Sequence, residues 1–398
     1  MQLGKDRNGN SLAVAIAGGL ALAWAGCLLS MLWEHSWILD VRGKPIVTDF
    51  LEVWVAGRSA LQGAAAAAYD PRLHHAAQVA AIGHAFHGFL WWHYPPFVLF
   101  VAAALGLMPY LPAFLFWVVG TLALYVAAIG CVAKSRVAAL LACATPAVFI
   151  NAIAGQNGYL TASLIGATLL NLETRPILAG VFLGLLSYKP QFGLLFPLVL
   201  IATGRWRSFV SAGIVAALLM ALSLTVFGAE TLRAFFHFLP LASDSFLVHG
   251  TAGWNKLQTI YGLARWLGWG NLPASALQGA VAIAAAAAVV WLWRQDVPFT
   301  LKAAALTMAA LFATPYLYMY DFPILVVPLA FLYRERAFDR VELAGIGLAN
   351  LCILAFTFGV LVIPIGTLAS AITTALIVRR ITEKSPAPFA RDVTPQLA

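Results

Sequence analysis

Charge is scarce in this chain. Only 10% of its 398 residues are Asp, Glu, Lys or Arg, against about 25% in ordinary soluble domains, whereas 62% are hydrophobic and the mean hydropathy is +0.86. That balance excludes a water-soluble globular protein. Cysteine is sparse too: Cys27, Cys131, Cys143 and Cys352 all sit within apolar runs with no CxxC spacing, so they read as small packing residues rather than a disulfide or metal framework. No GxSxG, P-loop or GxGxxG stands in a strand-helix setting, which leaves cytosolic nucleotide chemistry without support. His84 and His87 form the nearest histidine pair and lack a third ligand, so neither metal nor other cofactor is expected. The net charge of +8 does not point to nucleic acid, because the basic residues stand at the ends of hydrophobic runs, where they set orientation.

What the chain has in quantity is apolar sequence rich in Ala, Leu and Gly, without the alternation of a barrel strand. The expected fold is an all-α polytopic membrane protein, one domain over residues 1–380, followed by a disordered cytoplasmic tail at 381–398 ending SPAPFARDVTPQLA. Spans are expected at about 11–33, 111–133, 137–153, 158–172, 176–188, 190–203, 208–227, 273–294, 299–313, 318–333, 340–357 and 360–378, about twelve transmembrane helices. Residues 96–108 are apolar but short and are followed by Pro109 and Pro112, so they read as re-entrant or interfacial. With both termini cytoplasmic, most of the 24 basic residues fall on the cytoplasmic side, in short loops such as AKSR, ETRP, GRWR and RER. Counting 96–108 as a span inverts that distribution.

Two longer loops, 34–94 and 228–272, then face outward. In the first, Asp49, Glu52, Ser59 and Gln62 share one helical face opposite Phe50, Val53, Trp54, Gly57 and Leu61, which predicts an amphipathic helix over 49–63 lying on the membrane surface. Asp70 followed by Pro71 starts a second helix, expected to run to about His87. His74 and His75 read as solvated surface residues.

The polar, helix-breaking motifs collect on the same outer side: His93-Tyr94-Pro95-Pro96, Gly155-Gln156-Asn157-Gly158, Tyr188-Lys189-Pro190-Gln191, Thr314-Pro315-Tyr316, and the loop carrying Asn255 and Lys256. That asymmetry points to chemistry at one membrane surface. Asp49 is either a helix cap or a reactive carboxylate. Lys189, in a tight hairpin, is either an interfacial lysine or a phosphate ligand. Gln156 and Asn157 either bind a polar ligand or satisfy broken backbone. Asp321, about two turns into a span, requires an ionic partner or a watered cavity.

The order of TDF…W.AGR..L.G….YD (48–70), WHYPP (92–96), LMPYLPA (107–113), GQNGYLTA (155–162), RPILAGVFLGLLSYKPQFGLLFPL (175–198) and ATPYLYMYD (313–321) resembles DUF2029, or glycosyltransferase family 87, over most of residues 48–330. The resemblance implies a GT-C-like membrane bundle with juxtamembrane helices in the first extracytoplasmic loop, in the plasma (inner) membrane. It implies mannosyl or arabinosyl transfer from a polyprenyl-phosphate sugar to a lipid or glycan acceptor, with inversion. Asp49 is the position that carries over as catalytic base. Lys189 with Arg58 would stabilise the phosphate, while His93, Tyr94, Gln156, Asn157, Tyr188, Gln191, Asn255, Lys256, Tyr316 and Asp321 would line the substrate site. The chain departs from the pattern at GWNKLQTIYGLARWL, where a Gln-Ser pair is expected after the asparagine, and at Met319, often an acid in the family. The competing class is a flippase or transporter of lipid-linked sugar, which needs polar residues along a path to the inner face; here they stop near the outer one.

Overall fold

In the computed structural model, which describes residues 5–88 and 90–384, the regular elements are helices, and a single antiparallel bridge between Leu39 and Pro45 closes the turn after the first of them. In chain order they are α1 (Lys5–Trp33), α2 (Phe50–Leu61), α3 (Pro71–Ile82), α4 (Leu99–Gly106), α5 (Tyr110–Ala133), α6 (Arg136–Cys143), α7 (Pro146–Ala154), α8 (Gly158–Asn171) and α9 (Pro176–Leu185). There follow α10 (Pro190–Gly193), α11 (Leu195–Ala202), α12 (Trp206–Ser243), α13 (Ile260–Trp266), α14 (Asn271–Trp293), α15 (Phe299–Ala313), α16 (Val326–Glu335), α17 (Arg340–Thr357) and α18 (Gly366–Lys384). Local sequence sets many starts: Pro71, Pro146, Pro176 and Pro190 occupy first-turn positions, Ser135 caps α6, and Asp339 with Glu342 forms a reciprocal capping box on α17.

The chain is a helical membrane protein. Each of the twelve expected spans is largely helical, but among the described residues five helices are able, by length and composition, to cross a bilayer: Val14–Trp33, Tyr110–Ala133, Trp206–Val248, Asn271–Trp293 and Arg340–Thr357. A sixth arises if α6 and α7, bent by 60° at the Thr145-Pro146 break, count as one. Among the described residues the shorter apolar helices, of 10–17 residues, are Pro96–Gly106, Pro176–Tyr188, Pro190–Ala202 and Phe299–Ala313, and Pro190 separates the second from the third. Residues 96–106 are indeed a short apolar helix. A continuous apolar core runs from Trp37 to Ile377.

Five expectations need correction. Helix α2 does not lie with an apolar face on lipid: Phe50 through Gly57 are all buried in protein, Glu52 among them. Gly57 explains how, because a β-carbon there would lie 1.8 Å from the Ala102 carbonyl oxygen, so α2 and α4 cross with backbones touching. Helix α3 stops at Ile82, where Gly83 turns left-handed at φ 84°, and does not reach His87. His74 is buried, not solvated, because α3 turns that face inward; His75 is half-buried. The stretch 228–272 is helical for much of its length: α12 breaks at Gly228 (φ 81°, ψ 165°), resumes, and is continued by a wider turn at Asp244–Val248. Its second half packs over the first loop, with Phe235 and Phe238 against Tyr69, and Phe246 against His93. Finally, α18 runs to Lys384, so the start of the expected tail is helical; residues 385–398 lie outside the described residues.

Candidate active site

Asp49 is the N-cap residue of α2, yet its side chain makes no capping bond. Asp70, in the equivalent place on α3, accepts from the N–H groups of Arg72 and Leu73, as a capping aspartate should. The Asp49 carboxylate instead accepts from Gln156 Nε2 at 3.0 Å. Its position is fixed from both sides: Thr48 bonds Tyr110 through their hydroxyls, and Phe50 is clamped against Tyr110 and Phe114.

Gln156 belongs to a turn built for rigidity. Gly155 ends α7 with φ 66°, the Asn151 side chain donates to the Gln156 carbonyl and accepts from the Gly158 N–H, and a β-carbon on Gly158 would meet the Tyr320 carbonyl oxygen at 2.0 Å. From that turn a relay of side chains spreads. Tyr94 donates to Gln156 Oε1 (3.2 Å), Asn157 Nδ2 donates to the Tyr94 hydroxyl (2.7 Å), and Tyr188 donates to the Asn157 carbonyl (3.2 Å) while meeting the Thr161 hydroxyl. The Tyr94 carbonyl in turn accepts from Tyr69.

Lys189 follows Tyr188 and is buried. Its ammonium donates to Asp321 at 2.7 Å and lies over the rings of Tyr320 and Phe192. Asp321 thereby has the partner that its depth demands, and it also accepts from the Tyr318 N–H. Lys189 is therefore neither an interfacial lysine reaching for water nor an uncommitted phosphate ligand.

Sequence reasoning missed Glu52 and Asn151 as members of the group. Glu52 follows Asp49 at the i+3 spacing that puts two carboxylates on one helical face, the signal that was available. It is only 5% exposed. Desolvation, reinforced by the Asp49 charge, pushes its carboxyl well above the usual range, against the pull of Lys189 and Gln156. Asp49 is half-buried. Desolvation raises it as well, opposed by the Gln156 hydrogen bond and by the charges of Lys256 and Lys189. His93 is accessible at the edge of the group; desolvation and the Lys189 charge hold its imidazole down to about 4, so it is neutral at pH 7. Lys256 is exposed and has no ion-pair partner among the described residues.

The structure thus gathers Asp49, Glu52, Tyr94, Gln156, Asn157, Tyr188, Lys189 and Asp321, with His93 and Lys256 at the rim. It does not gather Arg58, which is exposed beyond the far end of α2's buried run and stacks on Trp54. Gln191 is half-buried in α10, Asn255 is half-buried beside Lys256, and Tyr316 is half-buried near Ser243. The group offers a carboxylate partly open to a ligand, a second carboxyl whose pKa burial raises, and one uncommitted ammonium. That set is suited to removing a proton from a hydroxyl and receiving an anionic leaving group.

No curated protein and no solved structure matches the chain. A model of glycosyltransferase family 87 matches residues 92–315, more than half of the sequence. The matched stretch contains His93, Tyr94, the GQN turn, the Tyr188-Lys189 hairpin and Lys256, while Asp49 and Glu52 precede it and Asp321 follows it. A helical membrane protein with this polar group at its centre, matched over that length, belongs to glycosyltransferase family 87.

Proposed function

We propose that the protein transfers a sugar, mannose or arabinose, from a polyprenyl-phosphate donor to a lipid or glycan acceptor at the extracytoplasmic face of the plasma membrane. Asp49 takes the proton from the acceptor hydroxyl as its oxygen attacks the anomeric carbon from the side opposite phosphate, inverting the configuration. The bond from that carbon to the phosphate oxygen breaks, and the prenyl phosphate departs with its electron pair. The donor is already activated, so no nucleotide is consumed.

The observation that carries this reading is the diversion of Asp49: a carboxylate at a helix start that leaves its cap empty and turns toward Gln156, Glu52 and Lys256. Phosphate stabilisation falls to Lys256, because Lys189 is tied to Asp321 and Arg58 points elsewhere. Neutral His93, with Tyr94, Gln156 and Asn157, suits hydroxyl-rich sugar. The twelve-helix GT-C architecture, the cytoplasmic termini and the outward site belong to the same proposal.

The test is to incubate purified protein with a panel of radiolabelled polyprenyl-phosphate sugars and membrane lipids. The expected result is label transfer from at least one prenyl donor, with inversion and with none from nucleotide sugars. Movement of lipid-linked sugar across vesicles without transfer would instead establish the flippase reading.

A further inference from the structure

A second polar feature lies at the other end of α9. Helices α9 and α12 run parallel: Ser208 Oγ donates to the Pro176 carbonyl and Ser211 Oγ to the Ile177 carbonyl, both at 2.9 Å, while Gly180 meets Ser208 and Ser211, and Gly184 meets Ala212 and Val215. Residue numbers rise together along the contact, so both helices begin side by side. Neither start has a side-chain cap. Two positive helix ends are therefore juxtaposed, and three arginines join them, Arg175, Arg205 and Arg207. Glu173 is the acid at this place, and it lies 3.6 Å from Arg205, which also stacks on Trp293. Arg175 and Arg207 are exposed and have no ion-pair partner among the described residues.

Between those two arginines opens a groove of about 410 Å³, floored by Pro176, Ile177, Leu178 and Val181. Beyond it an exposed apolar stripe climbs α12 at helical spacing: Val210, Ile214, Leu218 and Leu222. A bare anion has no use for such a track, and a neutral lipid leaves the positive charge unanswered. We propose that this groove binds an anionic glycerophospholipid, its headgroup phosphate between Arg175 and Arg207 at the paired helix starts and its acyl chains along the α12 stripe. The groove lies about 20 Å from Tyr188 along α9 and is separate from the Asp49 group. The lipid would hold the parallel pair α9 and α12 together, and α12 is the helix whose far half places Phe238 against His93.

The test is native mass spectrometry of delipidated full-length protein titrated with phosphatidylglycerol or phosphatidylcholine, for wild type and for an Arg175→Gln/Arg207→Gln double variant. Expected is preferential binding of phosphatidylglycerol to wild type and an about tenfold or greater loss of that preference in the double variant, with phosphatidylcholine binding unchanged. An unchanged melting temperature in phosphatidylcholine establishes that the variant is folded. Equal binding of the two lipids by wild type, or a preference that survives in the double variant, overturns the proposal. Displacement of phosphatidylglycerol by millimolar inorganic phosphate alone makes the groove a simple anion site. Displacement by substoichiometric polyprenyl phosphate makes it a carrier-lipid site. Both outcomes also overturn it.

Discussion

Two groups of buried charge stand at opposite ends of the segment that carries Asp321 at its start and Arg336 just beyond its end, more than about 20 Å apart along the helical path. At the Arg336 end, every carboxylate is answered. Glu342 takes two bonds from Arg380, a third from Arg336 and the N–H of Asp339, while Asp339 and Glu383 share Arg336 and Arg379. Arg380 also donates to backbone carbonyls of Leu332 and Arg336. At the other end, three carboxyl groups face one buried lysine, which is spent on Asp321. The first group is closed: its charges exist to hold α16, α17 and α18 together. The second has two carboxyls with no buried cation of their own, an arrangement that costs folding energy and persists where a ligand or a proton completes it.

The largest effects come from opening the closed group. Glu342→Gln strands Arg380 in the core and should cost about 3–5 kcal/mol in chemical or thermal unfolding, with turnover per folded molecule unchanged. Lys189→Met should cost a similar amount by stranding Asp321, whereas Lys189→Met with Asp321→Leu should regain most of the loss, as for any buried pair replaced by apolar groups of like volume. Glu52→Gln should do the opposite of Glu342→Gln. The folded-state pKa of Glu52 is raised, so its stabilising contribution is complete below the ordinary glutamate range, near pH 4.5, and is lost as pH climbs toward the raised value. The glutamine variant should therefore melt no higher than wild type at pH 4 and higher at pH 7–8. The smallest effect concerns Lys256, whose charge lowers the Asp49 pKa. In Lys256→Gln the acidic limb of the pH–rate profile should move upward only slightly, because the ammonium is exposed and water screens it, and the donor KM should rise.

Much of the open group was legible in the sequence; the closed group was not, because Glu342 and Arg380 stand 38 residues apart. The membrane class, the helical segments, the Asp70-Pro71 start and the need for a partner to Asp321 all follow from composition, spacing and the cost of an isolated charge. The polar motifs expected on the outer side were read as a set, and the structure brings most of them together. Arg58 failed because helical phase places it beyond the buried run of α2, where Trp54 takes its guanidinium. The surface placement of α2 failed because amphipathicity is silent on whether lipid or protein covers the apolar face; here Gly57 admits α4, and the chain buries both sides. His74 failed likewise, since a short helix with one histidine turned inward leaves no periodic trace. The partner of Lys189 lies 132 residues away, beyond anything local pattern reveals.

The most direct test of the account is the transfer rate of Asp49→Asn, compared with Asp70→Asn, in protein shown by its melting curve to be folded. Both residues start helices, and asparagine caps as well as aspartate does. If the carboxylate of Asp49 removes the acceptor proton, its loss lowers the rate by about 10²–10⁴-fold, while Asp70→Asn transfers sugar at the wild-type rate. A folded Asp49→Asn protein that turns over as fast as wild type would contradict the account.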